Sequence, residues 1–157
     1  MTILSLRTDK PEAEIGLLEA YVKGQTSHKD SSTEINVRGL PFHIEQLVYE
    51  IWQTDRKLAE TIHSKLSKIL NKLNKNLDNI DGIVCFKGPG SFTGLRIGLT
   101  IANALAYAQN IPVVAMTDPD WLEKGIQDLI NDNPLASGDK IAIPEYGAEV
   151  KTTKPRK

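Results

Sequence analysis

The residue types that could act together in chemistry lie in one glycine-rich stretch, Gly88-Pro-Gly-Ser-Phe-Thr-Gly-Leu-Arg96. It follows a short apolar run, Ile83 to Phe86, and precedes a long apolar segment typical of a buried helix. A glycine loop at the start of a helix presents free backbone N–H groups, which can bind phosphate or another anion. Anion binding is therefore the first chemistry to consider for this loop.

The known phosphate-binding patterns do not fit the loop. A P-loop requires Lys and then Ser or Thr directly after its last glycine, whereas Leu95 and Arg96 follow Gly94. The dinucleotide pattern GxGxxG fails because its last glycine would fall on Thr93. We favour a structural function, in which the loop makes a tight turn and lets the helix pack closely. Nucleotide binding and the binding of another anion are the alternatives.

The segment after the loop predicts a helix over 91–109. Either Ser91 or Thr93 is expected to cap it, because the first backbone N–H groups of a helix lack partners. Asn110 and Pro112 are expected to end it. Apolar residues recur at helical spacing along one face, namely Leu95, Leu99, Ala102 and Ala106.

The composition fits one soluble domain, since 157 residues with 40% hydrophobic and 25% charged side chains can build a sizeable core. The net charge is -1 and the sequence pI is about 6.3. This balance gives the chain alone no general electrostatic attraction to nucleic acid. Any contact with nucleic acid is therefore expected to require a partner.

Cys85, the only cysteine, lies in the apolar run and is expected to be a small core residue. No apolar run has the length of a membrane span, and the first residues do not form a secretion signal. These features favour a reducing, cytoplasmic setting.

Two familiar kinds of catalytic site do not fit. His28, His43 and His63 are 15 and 20 residues apart, so no pair has the spacing of helical metal ligands. No serine lies in a GxSxG pattern. A metallopeptidase and a serine hydrolase are therefore not supported. The carboxylates Asp9, Glu12 and Glu14 could hold a cation, but a charged turn is usually solvated, and we assign them no function.

Several strands are predicted in the first third of the chain. The short apolar runs Ile3 to Leu6 and Ala13 to Leu18 are separated by turn residues and predict a β-hairpin. Residues 23–43 are polar and contain Gly and Pro, which indicates a long connector. Leu47 to Trp52 then predicts a third strand.

The middle of the chain alternates helices and strands. Apolar residues at steps of three and four predict an amphipathic helix over 55–77. Ile83 to Phe86 and Pro112 to Met116 predict two further strands on either side of the helix at 91–109. The order strand, helix, strand, helix, strand indicates an α/β fold with a five-stranded sheet.

A shorter helix is predicted to run to about Ile130, with Asp118 as its cap and Pro119 at its first position. The domain boundary is placed after residue 130. Residues 131–157 are predicted to hold a loop, a possible strand from Ile141 to Ile143, and a basic tail at 151–157.

The text GPGSFTGLRIGLTIANALA at 88–106, followed by IPVVAMT at 111–117, resembles the TsaB family, also called YeaZ. WQTDRKLAETIHSKL at 52–66 matches the position of the family's first long helix, so the resemblance covers about residues 45–117. It implies a single ASKHA lobe, that is, an actin-like, sugar-kinase-like and ribonuclease H-like fold, at 1–130, with a mixed five-stranded sheet and flanking helices.

The opening of the chain is similar to the family's start but diverges at Arg7, where the family commonly has Asp. In kinase-like relatives that carboxylate helps to handle Mg²⁺ and phosphate, and an arginine cannot coordinate a cation. The difference favours a non-catalytic chain. Family members are also usually longer. The ending IPEYGAEVKTTKPRK resembles the closing segment of short family versions, which suggests that the second lobe is trimmed.

The resemblance implies an accessory subunit that binds a TsaD-like catalytic paralogue, which forms threonylcarbamoyladenosine next to the anticodon of tRNA. A TsaE-like ATPase and tRNA would be reached only through that complex. ATP and metal are expected on the TsaD-like partner and no cofactor on this chain. A homodimer is the expected arrangement when the partner is absent.

The resemblance also assigns candidate contact residues. The motif loop is expected to act structurally or as a partner contact through Gly88, Pro89, Gly90, Ser91, Phe92, Thr93, Gly94 and Arg96. The two long helices are expected to form the interface, because small residues four apart permit a close helix crossing. The interface candidates are Leu58, Ile62, Leu66, Gly98, Ala102, Leu105 and Ala106.

Two other functions stay open at this point. The first is a stand-alone ATP-binding or phosphotransfer protein of the kinase-like superfamily, which would follow from the fold alone. The second and weaker one is a glycoprotease activity of the kind once ascribed to the catalytic paralogue, against which the missing histidine pair argues.

Overall fold

A mixed β-sheet forms the centre of the computed structural model, which describes residues 1–22, 33–35, 42–117, 119–131 and 141–147. Within these ranges the sheet has six strands in the order β3-β4-β2-β1-β5-β6. The strands are β1 (Thr2–Arg7), β2 (Glu12–Val22), β3 (Thr33–Ile35), β4 (Phe42–Gln53), β5 (Gly82–Phe86) and β6 (Val113–Met116).

The register of the sheet places the ends of β1 and β5 side by side. β1 and β2 form an antiparallel hairpin in which Arg7 pairs with Glu14. β4 pairs antiparallel with β2, with a register shift at Leu17/Leu18. β5 runs parallel to both β1 and β6, so the residues after β5 emerge beside the turn that follows β1.

Helices cover both faces of the sheet. α1 (Leu58–Lys72) and α2 (Phe92–Gln109) pack on one face around a core that includes Leu4, Ile15 and Ile83. α3 (Trp121–Ile130) packs on the other face against β5 and β6. None of the helices in the described ranges combines the length and the apolar character needed to cross a membrane.

The predicted fold class is confirmed, and all five predicted strands are present. The sixth strand, β3, is three residues long and lies at the sheet edge within the predicted connector. In the sequence only Ile35 and Val37 alternate like a strand here, and the surrounding polar and turn residues indicated a connector instead. The rest of the connector between β2 and β4 lies outside the described residues.

The first long helix is shorter than the predicted 55–77. Asp55 and Arg56 have positive φ angles of 46° and 65°, so the backbone cannot be helical before Leu58. Asn74, at φ 51°, follows the C-cap residue Leu73. The apolar pattern continues to Leu77 because that residue sits in a separate 3₁₀ turn, Leu77–Asn79.

Two predictions near the last helix are wrong. α3 begins at Trp121 with Asp120 as its N-cap, so Pro119 is not its first residue, and Asp118 lies outside the described residues. Trp121 is buried and packs edge-on against Phe86 at 6.0 Å between ring centroids, so the first residue of the helix belongs to the core. Residues 141–143 are not a strand, because Asn103 and not a neighbouring strand bonds the backbone of Ala142. The basic tail at 151–157 lies outside the described residues.

Candidate functional site

The glycine loop lies where β5 ends, next to the turn after β1. The Lys87 backbone N–H donates to the Met116 carbonyl at 2.9 Å, which extends the pairing of β5 with β6. The Ser91 N–H donates to the Asp9 carbonyl at 2.8 Å. The Ser91 Oγ accepts from the Gly94 N–H at 3.3 Å, so Ser91 rather than Thr93 is the side-chain cap of α2. The loop is therefore held to its neighbours by backbone hydrogen bonds.

Close packing by other segments explains the glycines of the loop. A Cβ at Gly90 would lie 2.3 Å from the Asp9 Cβ, and one at Gly94 would lie 2.0 Å from the Thr8 carbonyl oxygen. Gly88 has φ +124°, and a Cβ there would lie 1.9 Å from the Glu145 carbonyl oxygen. This geometry agrees with the structural function that we favoured for the loop.

A short segment that the sequence analysis treated as loop and strand packs against this site. We call residues 141–147 the strap. The Glu145 N–H donates to the Lys87 carbonyl at 2.7 Å, and the Tyr146 ring stacks on Phe92 with centroids 4.2 Å apart. A Cβ at Gly147 would meet the Pro89 side chain at 2.6 Å. The strap thus contacts the first part of the loop and Phe92, whereas Asp9 and Thr8 contact Gly90 and Gly94.

Asn103 holds the first part of the strap. Its Nδ2 donates to the Ala142 carbonyl at 2.9 Å, and its Oδ1 accepts from the Ala142 N–H at 2.7 Å. Both polar groups of the Ala142 backbone are thereby satisfied by one amide, which replaces the strand ladder expected for residues 141–143. The sequence offered a weak signal, because Asn103 is the only Asn or Gln in α2 before its last residue.

We predict that Asn103→Ala releases the strap while the rest of the lobe stays folded. Two hydrogen bonds to a largely buried backbone are lost, which corresponds to about 1–3 kcal/mol. Hydrogen exchange followed by mass spectrometry should then show faster exchange at the Glu145 amide. Thr100→Ala, at an exposed position of the same helix, is the matched control. Equal protection in both variants would contradict a clamping function for Asn103.

Arg7 forms an ion pair with Asp9, the residue that packs against Gly90 of the loop. Its Nε is 2.7 Å from Asp9 Oδ1 and its Nη2 is 3.2 Å from Asp9 Oδ2. The guanidinium also lies 4.3 Å from the centroid of the Phe86 ring. The hydrogen bond to Asp9 raises the pKa of Arg7 above its ordinary value. The position where the family commonly has an aspartate therefore carries a paired cation.

The remaining hairpin carboxylates make their own contacts. The Tyr49 hydroxyl donates to Glu14, and burial raises the pKa of Tyr49. Gln53 donates to Glu12 at 2.5 Å. Among the described residues, no three His, Cys, Asp or Glu side chains converge as metal ligands. His43 stacks on Tyr21, His63 is exposed, and His28 lies outside the described residues.

Cys85 is buried in the sheet, as predicted, and its Sγ lies 3.6 Å from the Val114 carbonyl oxygen. Burial raises the pKa of the thiol to about 12. In the unfolded chain the pKa of the thiol is about 8.5. Between about pH 8.5 and pH 12 only the unfolded state loses the thiol proton. The stability that the buried, protonated thiol contributes is therefore complete below about pH 8.5 and is lost as the pH rises from there to about 12.

We therefore predict that Cys85 does not react with a thiol reagent such as dithionitrobenzoate in the native protein at pH 8. The chain unfolded in urea should release one equivalent of thionitrobenzoate, because the sequence has one cysteine. Rapid reaction of the native chain would contradict the burial of this thiol.

The structure corrects most of the predicted interface residues. Six of the seven are buried in the lobe itself, so they cannot face a partner. Gly98 is buried because Thr8 packs against it, with Oγ1 2.1 Å from the position of a Cβ. Leu105 is partly buried and packs on the same core. The buried residues are Leu58, Ile62, Leu66, Gly98, Ala102 and Ala106.

The two long helices still present an exposed face. On α1 this face carries Ser67 and Lys68, and on α2 it carries Thr100, Ala104 and Ala108. Ala104 and Ala108 are four residues apart, a spacing that permits another helix to approach closely. Helical periodicity identified the two helices correctly but not which of their faces points outward. We call these five residues the helix face.

Comparisons with known proteins agree with this architecture. The family model described as "TsaD: tRNA N6-adenosine threonylcarbamoyltransferase" matches residues 52–136. The "tRNA threonylcarbamoyladenosine biosynthesis protein TsaB" of Haemophilus influenzae is 31% identical over 132 residues, which are 83% of this chain and 53% of that protein. The protein of the same description from Bacillus subtilis is 41% identical over 54 residues, which are 34% of this chain and 24% of that protein.

A solved structure shares the fold. "YeaZ from Pseudomonas aeruginosa" superimposes with a TM-score of 0.55 at 24% sequence identity, and the match covers 74% of this chain and 44% of that one. The chain thus spans about half the length of the Haemophilus influenzae relative and less than half of the solved one.

Proposed function

Because the chain belongs to the TsaD family and is a TsaB/YeaZ-like member of it, we propose that it is a non-catalytic accessory subunit. In this proposal it binds a TsaD-like catalytic paralogue and supports threonylcarbamoyladenosine formation in tRNA. The names of the matching relatives support this pathway.

The observation that carries the proposal is the filling of the glycine loop by the chain itself. Asp9, Thr8 and Glu145 each approach one glycine of the loop at a distance that leaves no space for a Cβ. A phosphate group needs free N–H groups and open space at such a loop. Here the Ser91 N–H is already bonded to Asp9, and the Ser91 side chain bonds the Gly94 N–H. These contacts support a structural function.

We assign the contact with the TsaD-like paralogue to the helix face. This face is exposed, whereas the first candidates on the same helices are buried. It combines small side chains on α2 with hydroxyl and amine groups on α1, so a partner helix can approach and still satisfy its polar groups.

The other components belong to the partner in this proposal. ATP and metal bind the TsaD-like protein, and tRNA and a TsaE-like ATPase reach this chain only through the complex. The complex acts in the cytoplasm. Titration calorimetry of the isolated chain with ATP and Mg²⁺ tests whether this chain itself binds nucleotide. Heat of binding at micromolar affinity would favour the kinase-like alternative instead.

The experiment that tests the function is deletion of the gene, followed by mass spectrometry of nucleosides from total tRNA. We expect threonylcarbamoyladenosine to fall, and we expect the wild-type gene on a plasmid to restore it. Arg7→Ala is the informative rescue variant, because it removes the guanidinium that pairs with Asp9 at the position where the family commonly has Asp. A non-catalytic subunit should tolerate it once folding is verified by circular dichroism. Unchanged modification in the deletion strain would contradict the proposed function.

A further inference from the structure

The strap lies on the lobe as an extended segment with one side turned inward. Ala142, Pro144 and Tyr146 are buried or partly buried, whereas the residues between and beside them are exposed. This alternation with a period of two is typical of extended backbone that rests on a surface. The strap nevertheless pairs with none of the six strands in the described ranges. It therefore binds the lobe in the manner of an extended peptide.

The lobe receives two side chains of the strap, one in each core. Ala142 belongs to the core beneath α1 and α2, and Tyr146 packs on the core that includes α3. Tyr146 also stacks on Phe92, and the guanidinium of Arg96 lies 5.2 Å from the centroid of that ring. Gly147 follows with φ +68°, an angle that favours glycine. Extended backbone covers about 13 Å over four residues, so the site selects a small and an aromatic side chain at this separation.

The remaining recognition is of the strap backbone. The Asn103 side chain donates to the Ala142 carbonyl at 2.9 Å and accepts from the Ala142 N–H at 2.7 Å. The Lys87 carbonyl accepts from the Glu145 N–H at 2.7 Å. In peptide recognition of this kind, main-chain hydrogen bonds provide affinity and a few side-chain positions provide specificity. Another segment with a small and an aromatic residue at the same spacing can therefore make the same three hydrogen bonds.

Little apolar surface holds the strap in its site. Ala142 is the one buried residue among its seven, and Ile141 and Ile143 are 56% and 53% exposed. The Glu145 carboxylate lies 3.9 Å from the Lys87 Nζ, and solvent screens this pair because both side chains are accessible. Segments with few buried apolar contacts open locally at a lower free energy than the whole domain. We therefore expect the strap to leave its site while the lobe stays folded.

We propose that Asn103, Phe92 and the Lys87 carbonyl form a docking site for extended peptide segments, which the strap fills from within the chain. The external ligand is a segment of a partner protein with a small residue four positions before an aromatic residue that glycine follows. This segment replaces the strap and makes the same backbone hydrogen bonds. The inference rests on the contacts of the strap and not on the proposed function.

The test is the binding of a separate peptide with the strap sequence, Ile-Ala-Ile-Pro-Glu-Tyr-Gly, labelled with fluorescein and followed by fluorescence anisotropy. Ala142→Pro in the full chain vacates the site, because proline has no N–H to donate to Asn103. We expect this variant to bind the peptide about tenfold more tightly than the wild type, in which the strap competes at a local concentration on the order of millimolar.

Two controls show whether the peptide occupies the proposed site. Adding Asn103→Ala to Ala142→Pro should weaken binding about tenfold, since two hydrogen bonds are lost. Adding Ser64→Ala instead, at an exposed position of α1, should leave the affinity unchanged. A peptide that carries Tyr146→Ser should bind about tenfold more weakly, because the stacking on Phe92 is lost.

Tyr146→Ser in the full chain is a second vacating variant, which releases the other end of the strap and serves if Ala142→Pro does not fold. Circular dichroism verifies the folding of each variant. Two results would overturn the inference. One is no saturable binding to either folded variant up to about 2 mM peptide, which would show that only the chain's own strap fills the site. The other is binding that Asn103→Ala leaves unchanged, which would place the peptide elsewhere.

Discussion

Gly94→Val is expected to destabilise the lobe by about 3 kcal/mol or more, at the upper end of the range for overpacking. A Cβ at this position would lie 2.0 Å from the carbonyl oxygen of Thr8, which is backbone and cannot move to another rotamer. Either α2 or the turn after β1 must shift. For a domain of this size, the loss corresponds to a fall in Tm of roughly 6–12 °C.

Thermal unfolding followed by circular dichroism measures this effect. Ala104→Val is the matched control, because it places the same side chain at an exposed position of the same helix. It should lose only about 0.5 kcal/mol of helix propensity. Similar melting temperatures for the two variants would show that Thr8 does not pack against Gly94, and the structural function of the loop would then lose its basis.

The second large effect is expected from a pair of alanines two residues apart in α2. Ala104→Arg should weaken binding to the TsaD-like paralogue by about a hundredfold, since a long charged side chain at the centre of a helix contact prevents close approach. Its stability should not change, because Ala104 is exposed. Affinity is measured by biolayer interferometry with the immobilised paralogue.

Ala102→Leu should show the opposite behaviour. Ala102 lies on the buried side of the same helix and is fully buried. The larger leucine side chain should therefore lower the free energy of unfolding by about 1–3 kcal/mol. The protein that remains folded should bind with nearly wild-type affinity. Full binding by Ala104→Arg would remove the helix face as the partner surface.

Much of the fold could be predicted from the sequence because its signals are local. The apolar runs that became β1, β2, β5 and β6 are short and bounded by turn residues, and the helices have clear periodicity. The glycine loop could be assigned a structural function because its spacing fits no phosphate-binding pattern.

The contacts that complete the site could not be predicted, because they join segments that are distant in sequence. Nothing near Asn103 indicates that its amide bonds the backbone of Ala142, which lies 39 residues away. The same limit explains the misplaced interface. The spacing of Gly98 and Ala102 indicates a close contact, but only the fold shows that their neighbours are within the lobe, such as Thr8 in the case of Gly98.

The most direct test of the central claim is light scattering after size exclusion, on this chain alone and mixed with the TsaD-like protein of the same genome. We predict a stable mixed complex whose mass includes both chains, with or without ATP, and its loss with Ala104→Arg. If the two proteins elute separately at every ratio and with nucleotide present, the account of this chain as an accessory subunit of that paralogue is contradicted.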